Sequence, residues 1–552
     1  MLLIFGLDGA TLELVRPLAD KGLLPNLQRL FGAGAWGPLQ STVPPATFPA
    51  WTTFMTGVNP GRHGIFDFTR RVSGRYAVEF VNGSFRKVPT VWNRLSAAGK
   101  RVAVLGVPGT YPPEPLNGCM ISGFDTPVTV RADASFVYPP ELAPLVEASG
   151  GFPFADFQEF RVDRQWYREA LRGLLQGVAT KARLATRILR RERWDCAMVL
   201  FGESDTVAHH FWRHCDPASP RFDESGAAEF GGAIRSVYAA LDSAIGDLIE
   251  ASQPDAVLVC SDHGFGGAAT IAVHLNRQLE QAGLLRWRQG GVMARGAAIG
   301  KRHLLQWMPA RMQARCFRLA GGRVAGAVES AARFGAIDWE HTQAFSEELN
   351  YFPSVWLNLR DRERQGTVAA GQYEQVCAAV TAVLRQLRDP DTGAAVVERV
   401  WRRDQVYEGP WVHQAPDLII EFALKDGYSY TCLPSHGAGA PLRRMSSAEV
   451  AGGKLSGLSG SHRRDGLFAL VGPVTQGVFH GATIADMTPT ILALCGVAVP
   501  EGLDGRVLSC VAGRFTKAVA GGEDPPSEAE IGYDPAQERI VEDRLRALGY
   551  IE

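Results

Sequence analysis

The sequence predicts an α/β protein built on a doubly wound, mostly parallel sheet with helices on both faces. Three observations predict it. Apolar runs recur without polar alternation: LLIFGLD from Leu2 to Asp8, RVAVLGVPG from Arg101 to Gly109, CAMVLFGESD from Cys196 to Asp205 and AVLVCSDHG from Ala256 to Gly264. Such runs suit strands covered on both faces, the usual condition of a parallel sheet. Helical stretches lie between them, as in PNLQRLFGAG after Leu24 and TVWNRLSAAGK ending at Lys100, and strand–helix alternation is the pattern of an open wound sheet. Finally, acidic residues and histidines stand where the runs end. In wound sheets the carboxyl ends of the strands form the ligand crevice.

The first run, MLLIFGLDGA, has no basic flank and is broken by Gly6 and Asp8, so it reads as a buried strand rather than a signal peptide. The segment from Val43 to Phe68 carries Thr47 two residues before Pro49, an early helix position. Residues 128–185 begin loop-rich. A long helix is then predicted from about Trp166 to Arg190, placed to cover one side of a cleft. From Thr270 to about Arg333 the chain reads as largely helical, and VWLNLRDRERQG and APDLIIEF then read as strands. GEDPPSEAE after Gly521 reads as a polar linker, and AQERIVEDRLRALGY as an amphipathic helix. The expected organisation is a core of residues 1–269 and 410–512, an inserted helical and strand cap of 270–409, and a linker with a terminal helix over 513–552.

Composition excludes several classes. The 552 residues carry 57 Lys+Arg against 58 Asp+Glu, a net charge of −1, which argues against a general nucleic-acid binder. With 46% hydrophobic and 21% charged residues the chain is an ordinary globular protein, and no apolar run of about 18 residues suggests a membrane span. The nine cysteines are odd in number and contain no C-x-x-C pair, so a disulfide scaffold or zinc ribbon is not expected. A reducing, cytoplasmic setting fits best.

The chemistry gathers at the run ends. Asp8 closes the first run; Asp205 closes the third, with His209 four residues on; Asp262 and His263 close the fourth. Asp and His without Cys form a ligand set for Zn²⁺ or Mn²⁺ in a hydrolytic site. A single aspartate at a strand end is usually a helix cap or turn residue. Five such side chains in order make that reading weak. Thr47 is a nucleophile candidate, because a helix N-terminus favours an alkoxide and a nearby anion, with a plain N-cap as the alternative of equal weight.

Together, Asp8, the TFP at Thr47, the Pro60–His63–Gly64 turn, D-x-x-x-H at Asp205 and His209, and SDHG from Ser261 to Gly264 resemble the alkaline phosphatase superfamily. The resemblance is closer to its nucleotide pyrophosphatase/phosphodiesterase branch. It covers roughly the first 110 residues, 190–270 and 410–510. It implies an alkaline phosphatase-like core and a late histidine behind a glycine, which GSHRRDGLFALVGP supplies as His462. It implies two divalent ions, Zn²⁺ by expectation and Mn²⁺ as the alternative. One would be held by Asp205, His209 and His462, the other by Asp8, Asp262 and His263 with Thr47 close by. Thr47 would attack phosphorus in line, and water would then release the phosphoryl group. His63 is read as structural, and the three-residue spacer selects His209 over His210.

The same resemblance shows departures. The branch carries an Asn 21 positions after the nucleophile, where this chain has Phe68, preceded by Asp67. The phosphate-binding Arg of phosphomonoesterases has no clear counterpart; Arg70, Arg71 and Lys87 are the candidates, each more simply read as solvated surface. Phe68, Arg70 and Lys87 are accordingly the substrate contacts to examine. Trp51, Phe66 and Phe68 are offered as walls for an ester substituent. The expected function is hydrolysis of a small phosphate diester or nucleotide-type substrate. Kept beside it are a phosphomonoesterase or phosphomutase of the same superfamily and an inactive binding module. A sulfatase is excluded, since Thr47 cannot supply its formylglycine.

Overall fold

The first apolar run becomes a middle strand of a ten-stranded sheet, and the chain winds outward from it on both sides. The computed structural model describes residues 1–127, 134–154, 163–288, 330, 333–435, 437–450, 458–513, 517–518 and 530–548. In chain order, the elements that matter are β1 (Leu2–Leu7), α1 (Leu12–Asp20), α2 (Pro25–Ala33), β2 (Ala35–Gln40), α3 (Thr47–Thr56), α4 (Val91–Ala97), β3 (Val102–Val107) and β4 (Gly118–Ser122). They continue with α5 (Arg164–Leu189), β5 (Cys196–Phe201), α6 (Glu203–Cys215), α7 (Ala233–Ser252), β6 (Ala256–Cys260), β7 (Gly264–Val273) and α8 (Leu275–Gln281). The last are β8 (Tyr428–Cys432), β9 (Gly460–Arg463), β10 (Asp465–Val471), α9 (Met487–Leu494) and α10 (Pro535–Leu548).

The central order is β2–β10–β6–β1–β5–β3–β4. The five strands from β6 to β4 run parallel; β10 is antiparallel to both β6 and β2. The lack of alternation in β1 has a direct packing cause. Leu3, Phe5 and Leu7 face one apolar cluster with Val15, Leu27, Leu184, Val237 and Leu241 from α1, α2, α5 and α7. Leu2 and Ile4 face a second with Trp51, Phe54, Trp92, Leu95 and Ile491 from α3, α4 and α9. Successive side chains point to opposite faces, so a strand covered on both sides must be apolar throughout. The predicted fold class is the observed one.

Several elements differ from expectation. The long helix α5 packs against α7 and buries Leu174, Val178, Leu184 and Ile188 under the sheet, so it closes a core face and not a cleft. Of the helical stretch expected from Thr270, residues 270–273 are the end of β7 and Leu275–Gln281 is α8; residues 289–329 lie outside the described residues. Ile271, Ala272 and Val273 are fully buried and pair with β8 and with Leu442–Arg444, which explains a strand there. Of the VWLNLRDRERQG stretch only its first three residues, Val355 to Leu357, are strand, within Ser354–Leu357. This strand joins Ala344–Phe345, Val397–Arg402 and Leu418–Phe422 in a separate four-stranded sheet, which thus extends past residue 409. The linker expected after Gly521 lies outside the described residues up to 529. The terminal helix α10 docks on its own chain: Val541 and Leu545 pack with Phe48, Ile65, Phe68, Phe80 and Phe124. Among the described residues no helix is long and apolar enough to cross a membrane.

Candidate active site

Three neighbouring parallel strands, β6, β1 and β5, end side by side, about 4.8 Å apart as adjacent strands are. Asp8 follows β1 directly, Asp262 lies two residues past β6, and Asp205 sits in the first turn of α6, just after β5. The register fixes their level: Leu7 pairs with Phe201 and Gly6 with Cys260. Gly9 makes the turn after Asp8 with φ of 65°, a left-handed conformation natural to glycine. His209 stands one helical turn beyond Asp205 on the same face of α6. His462 arrives from far along the sequence because β9 pairs antiparallel with β7, setting Phe265 opposite His462. Gly460 permits that approach, since a Cβ there would lie 2.3 Å from the Ala208 carbonyl oxygen.

The side chains converge in two groups that share Asp205: Asp205, His209 and His462, and Asp8, Asp205 and His263, with Asp262 beside the second. Asp205 Oδ1 lies 3.4 Å from His209 Nε2 and 3.5 Å from His462 Nε2. The two Nε2 atoms are 3.1 Å apart. Beside them His263 Nε2 lies 3.5 Å from Asp8 Oδ1, 3.4 Å from Asp262 Oδ2 and 3.1 Å from Thr47 Oγ1. Each histidine turns Nδ1 to a backbone carbonyl: His209 to Gly460 at 3.2 Å, His263 to Gly264 at 3.0 Å and His462 to Pro45 at 2.9 Å. A carbonyl only accepts, so Nδ1 carries the proton and Nε2 presents a lone pair inward, the arrangement of metal-ligating histidines.

The carboxylates are oriented the same way. Trp51 Nε1 donates to Asp8 Oδ2 at 3.0 Å, and the Gly9 amide donates to Asp262 Oδ1 at 3.2 Å. Asp8 Oδ1 and Asp262 Oδ2 are left buried with no hydrogen-bond partner among the described residues. Burial, then the neighbouring carboxylates Asp262 and Asp205, push the Asp8 pKa well up. Burial does the same to Asp262. Burial would also raise Asp205, but His209 and His462 outweigh it and hold that carboxyl below the usual range. Burial lowers His263 and His462, which keeps both rings neutral.

This cluster fits divalent cations. For ligands about 2.0–2.1 Å from a tetrahedral metal the ligand–ligand edge is about 3.3 Å, and the three edges of the Asp205–His209–His462 group bracket that value. The orphaned oxygens of Asp8 and Asp262 are the atoms a second cation would satisfy.

Thr47 is the first residue of α3, and Ala46, not Thr47, occupies the cap position. The Thr47 hydroxyl is fully buried and faces His263, at the positive end of the helix.

Residues 2–438 match the family described as type I phosphodiesterase / nucleotide pyrophosphatase. The chain belongs to this family. It is a metal-dependent phosphohydrolase. No curated protein matches the chain. Phosphonoacetate hydrolase from Sinorhizobium meliloti 1021, solved with phosphonoformate, is similar at 14% identity and a TM-score of 0.48, over 89% of this chain and 95% of that one. Human ectonucleotide pyrophosphatase / phosphodiesterase 5 is similar at 12% identity and a TM-score of 0.45, over 91% of this chain and 96% of that one.

In this family member the seven residues expected at the site, Asp8, Thr47, Asp205, His209, Asp262, His263 and His462, lie together, and the expected substrate contacts do not join them. Phe68 is 4% exposed and packs on Phe48 and Phe124, so its ring belongs to the core. Arg70 pairs with Glu79 and Glu530, and Lys87 with Glu530 while lying over Trp411. Arg71 forms a buried pair with Glu363. Trp51 and Phe66 are also buried, and Trp51 spends its indole N–H on Asp8, so neither is a substrate wall. His63 exchanges bonds with Thr53 and the Ile65 amide, a structural role. His210 faces Trp166.

Sequence reading gave one contributor another role and missed a second. Trp51 orients Asp8; TFPAW places it one helical turn past Thr47, a spacing that offered the signal. Tyr351 lies on His462 with ring centroids 4.3 Å apart, and nothing in ELNYFPS distinguishes it locally.

Proposed function

We propose that the protein is a phosphodiesterase or nucleotide pyrophosphatase that uses Thr47 as nucleophile beside two divalent ions. The observation that carries this reading is the Thr47 hydroxyl at the start of α3, held 3.1 Å from His263. Asp205, His209 and His462 would hold one ion; Asp8, Asp262 and His263 would hold the other. The ions, Zn²⁺ by preference and Mn²⁺ as the alternative, would supply charge stabilisation for the phosphoryl oxygens. Thr47 Oγ forms a bond to phosphorus as the bond to the leaving alcohol breaks. Water then cleaves the phospho-threonine and restores the hydroxyl. The α3 N-terminus favours the developing negative charge on Thr47. The inserted region, with its own sheet and core, is the cap in this reading. A reducing, cytoplasmic setting suits the eight cysteines that are free among the described residues.

The diester preference rests on charge. A monoester dianion needs a positive partner beyond the ions. The three candidate cations are committed elsewhere, Arg70 and Lys87 to Glu530 and Arg71 to Glu363.

The test compares bis-aryl and mono-aryl phosphate at one pH and one ion loading. The diester should show the higher kcat/KM, and a clear monoester preference would overturn the substrate class. Thr47→Ala should lower kcat by orders of magnitude with both ions still bound, while Thr47→Ser keeps part of the activity. Full activity in Thr47→Ala would assign the attack to water.

A further inference from the structure

His462 sits on the four-residue strand β9, and in the plane of its ring Nδ1 meets the Pro45 carbonyl at 2.9 Å while Nε2 meets His209 Nε2 at 3.1 Å. Its tilt is set by what lies on its faces. On one face is His263, with centroids 3.7 Å apart and planes 20° apart. On the other is Tyr351, at 4.3 Å and 24°. Tyr351 also meets His209 edge-on at 5.4 Å and 65°. Its hydroxyl lies 3.4 Å from His209 Nδ1, a long contact to an atom that already faces the Gly460 carbonyl at 3.2 Å. The ring face, rather than the hydroxyl, is therefore the stronger constraint.

Tyr351 is itself held. Glu348, three residues earlier, has φ of 55°, a left-handed conformation that is unfavourable for a non-glycine residue and persists only when its surroundings enforce it. They do so here: Glu348 accepts from the Asn276 amide at 2.9 Å, from the Ser435 hydroxyl at 2.7 Å and from the Ser435 amide. Ser346 exchanges bonds with the Asn276 side chain, and Asn350 Oδ1 accepts from the Cys432 amide at 3.1 Å. The loop is bolted to the start of α8 and to β8, and it delivers Tyr351 to the outer face of His462.

We propose that Tyr351 is a positioning residue that sets the ion affinity of the Asp205–His209–His462 group by closing the outer face of His462, and leaves the Asp8–Asp262–His263 group unaffected. The inference rests on the two-ion reading above. Groups that orient a ligand from behind typically change metal affinity 10- to 100-fold when removed.

The experiment titrates Zn²⁺ alone into metal-free full-length protein against a chromophoric chelator, for wild type, Tyr351→Phe and Tyr351→Leu. The leucine variant should bind one of two ions about 10- to 100-fold more weakly and the other as wild type does. The phenylalanine variant should stay within about threefold of wild type, because the ring face remains. Placed in an Asp262→Asn background, Tyr351→Leu should weaken the remaining ion by the same factor. Tyr351→Met, which keeps volume without an aromatic face, gives the same reading should the leucine variant not fold. Unchanged binding in Tyr351→Leu, equal weakening of both ions, or an equal loss in Tyr351→Phe overturns the proposal. Fewer than two ions in wild type would overturn the two-ion reading itself, a result distinct from any of these.

Discussion

Two regions of this molecule bury carboxylates to the same depth and treat them in opposite ways. At the strand ends Asp8, Asp205 and Asp262 are fully buried, and each lies within 3.5 Å of a histidine nitrogen. Among the described residues no lysine or arginine pairs with Asp8 or Asp262. Beside the four-stranded sheet, Asp417 is equally buried but accepts from Arg362 at 2.7 Å and from the Leu357 amide at 2.8 Å, and forms an ion pair with Arg403 at 3.2 Å. Glu363 is met there by Arg71 at 2.7 Å and by Arg362 at 3.0 Å. Burying a charge costs several kcal/mol unless a partner offsets it. In the sheet the chain supplies the partner itself. At the strand ends it leaves the deficit to a ligand, so the sheet's carboxylates serve stability and those at the strand ends serve binding.

The sharpest way to break that contrast is to remove one carboxylate from each region. Asp262→Asn should lower diester turnover by several orders of magnitude, yet raise the melting temperature of the metal-free protein, because it relieves a buried like-charge cluster. Calorimetry in excess chelator checks this, and a lower metal-free melting temperature would put Asp262 with the structural carboxylates. Asp417→Asn should do the reverse. It should cost about 3–5 kcal/mol by leaving two arginines poorly paired, while the folded fraction keeps its ion content and turnover per molecule. Denaturant unfolding beside metal analysis separates the two effects.

A third case lies between the regions. Glu348 is buried with only neutral donors around it, and burial pushes its pKa up to about 7. Its folded pKa exceeds the unfolded value, so the folded state holds the proton longer, and stability falls as pH rises from about 4.5 to about 7 and is then level. Relative to wild type, metal-free Glu348→Gln should gain up to roughly 3 kcal/mol between pH 5 and pH 8. Unfolding free energies at those two pH values give the answer; parallel behaviour of the two proteins would refute the assignment. The smallest effect is expected at the surface. Glu530 pairs with Arg70 and Lys87 while about a third exposed, so Glu530→Gln should cost about 1 kcal/mol or less, shrinking as salt is added.

The sequence by itself determined the sheet and the seven side chains at its edge. Runs such as LLIFGL and CAMVLF are apolar at every position, and only a strand covered on both faces needs that pattern. A parallel strand leads its carboxyl end into the crevice, so Asp8, Asp205 and Asp262 at run ends, with His209 and His263 beside two of them, were legible as one cluster. His462 and Thr47 were legible through the family resemblance. Tertiary structure decided the rest, because those outcomes depend on contacts between distant segments. The antiparallel pairing of β7 with β9 turns His462 inward, and the Glu348 loop lays Tyr351 over it. Arg70 and Lys87 read as phosphate-contact candidates, or more simply as solvated surface, until Glu530, more than 440 residues later, folds back and engages them. Local pattern encodes which face of an element is buried; it does not encode which distant side chain will share that face or neutralise that charge.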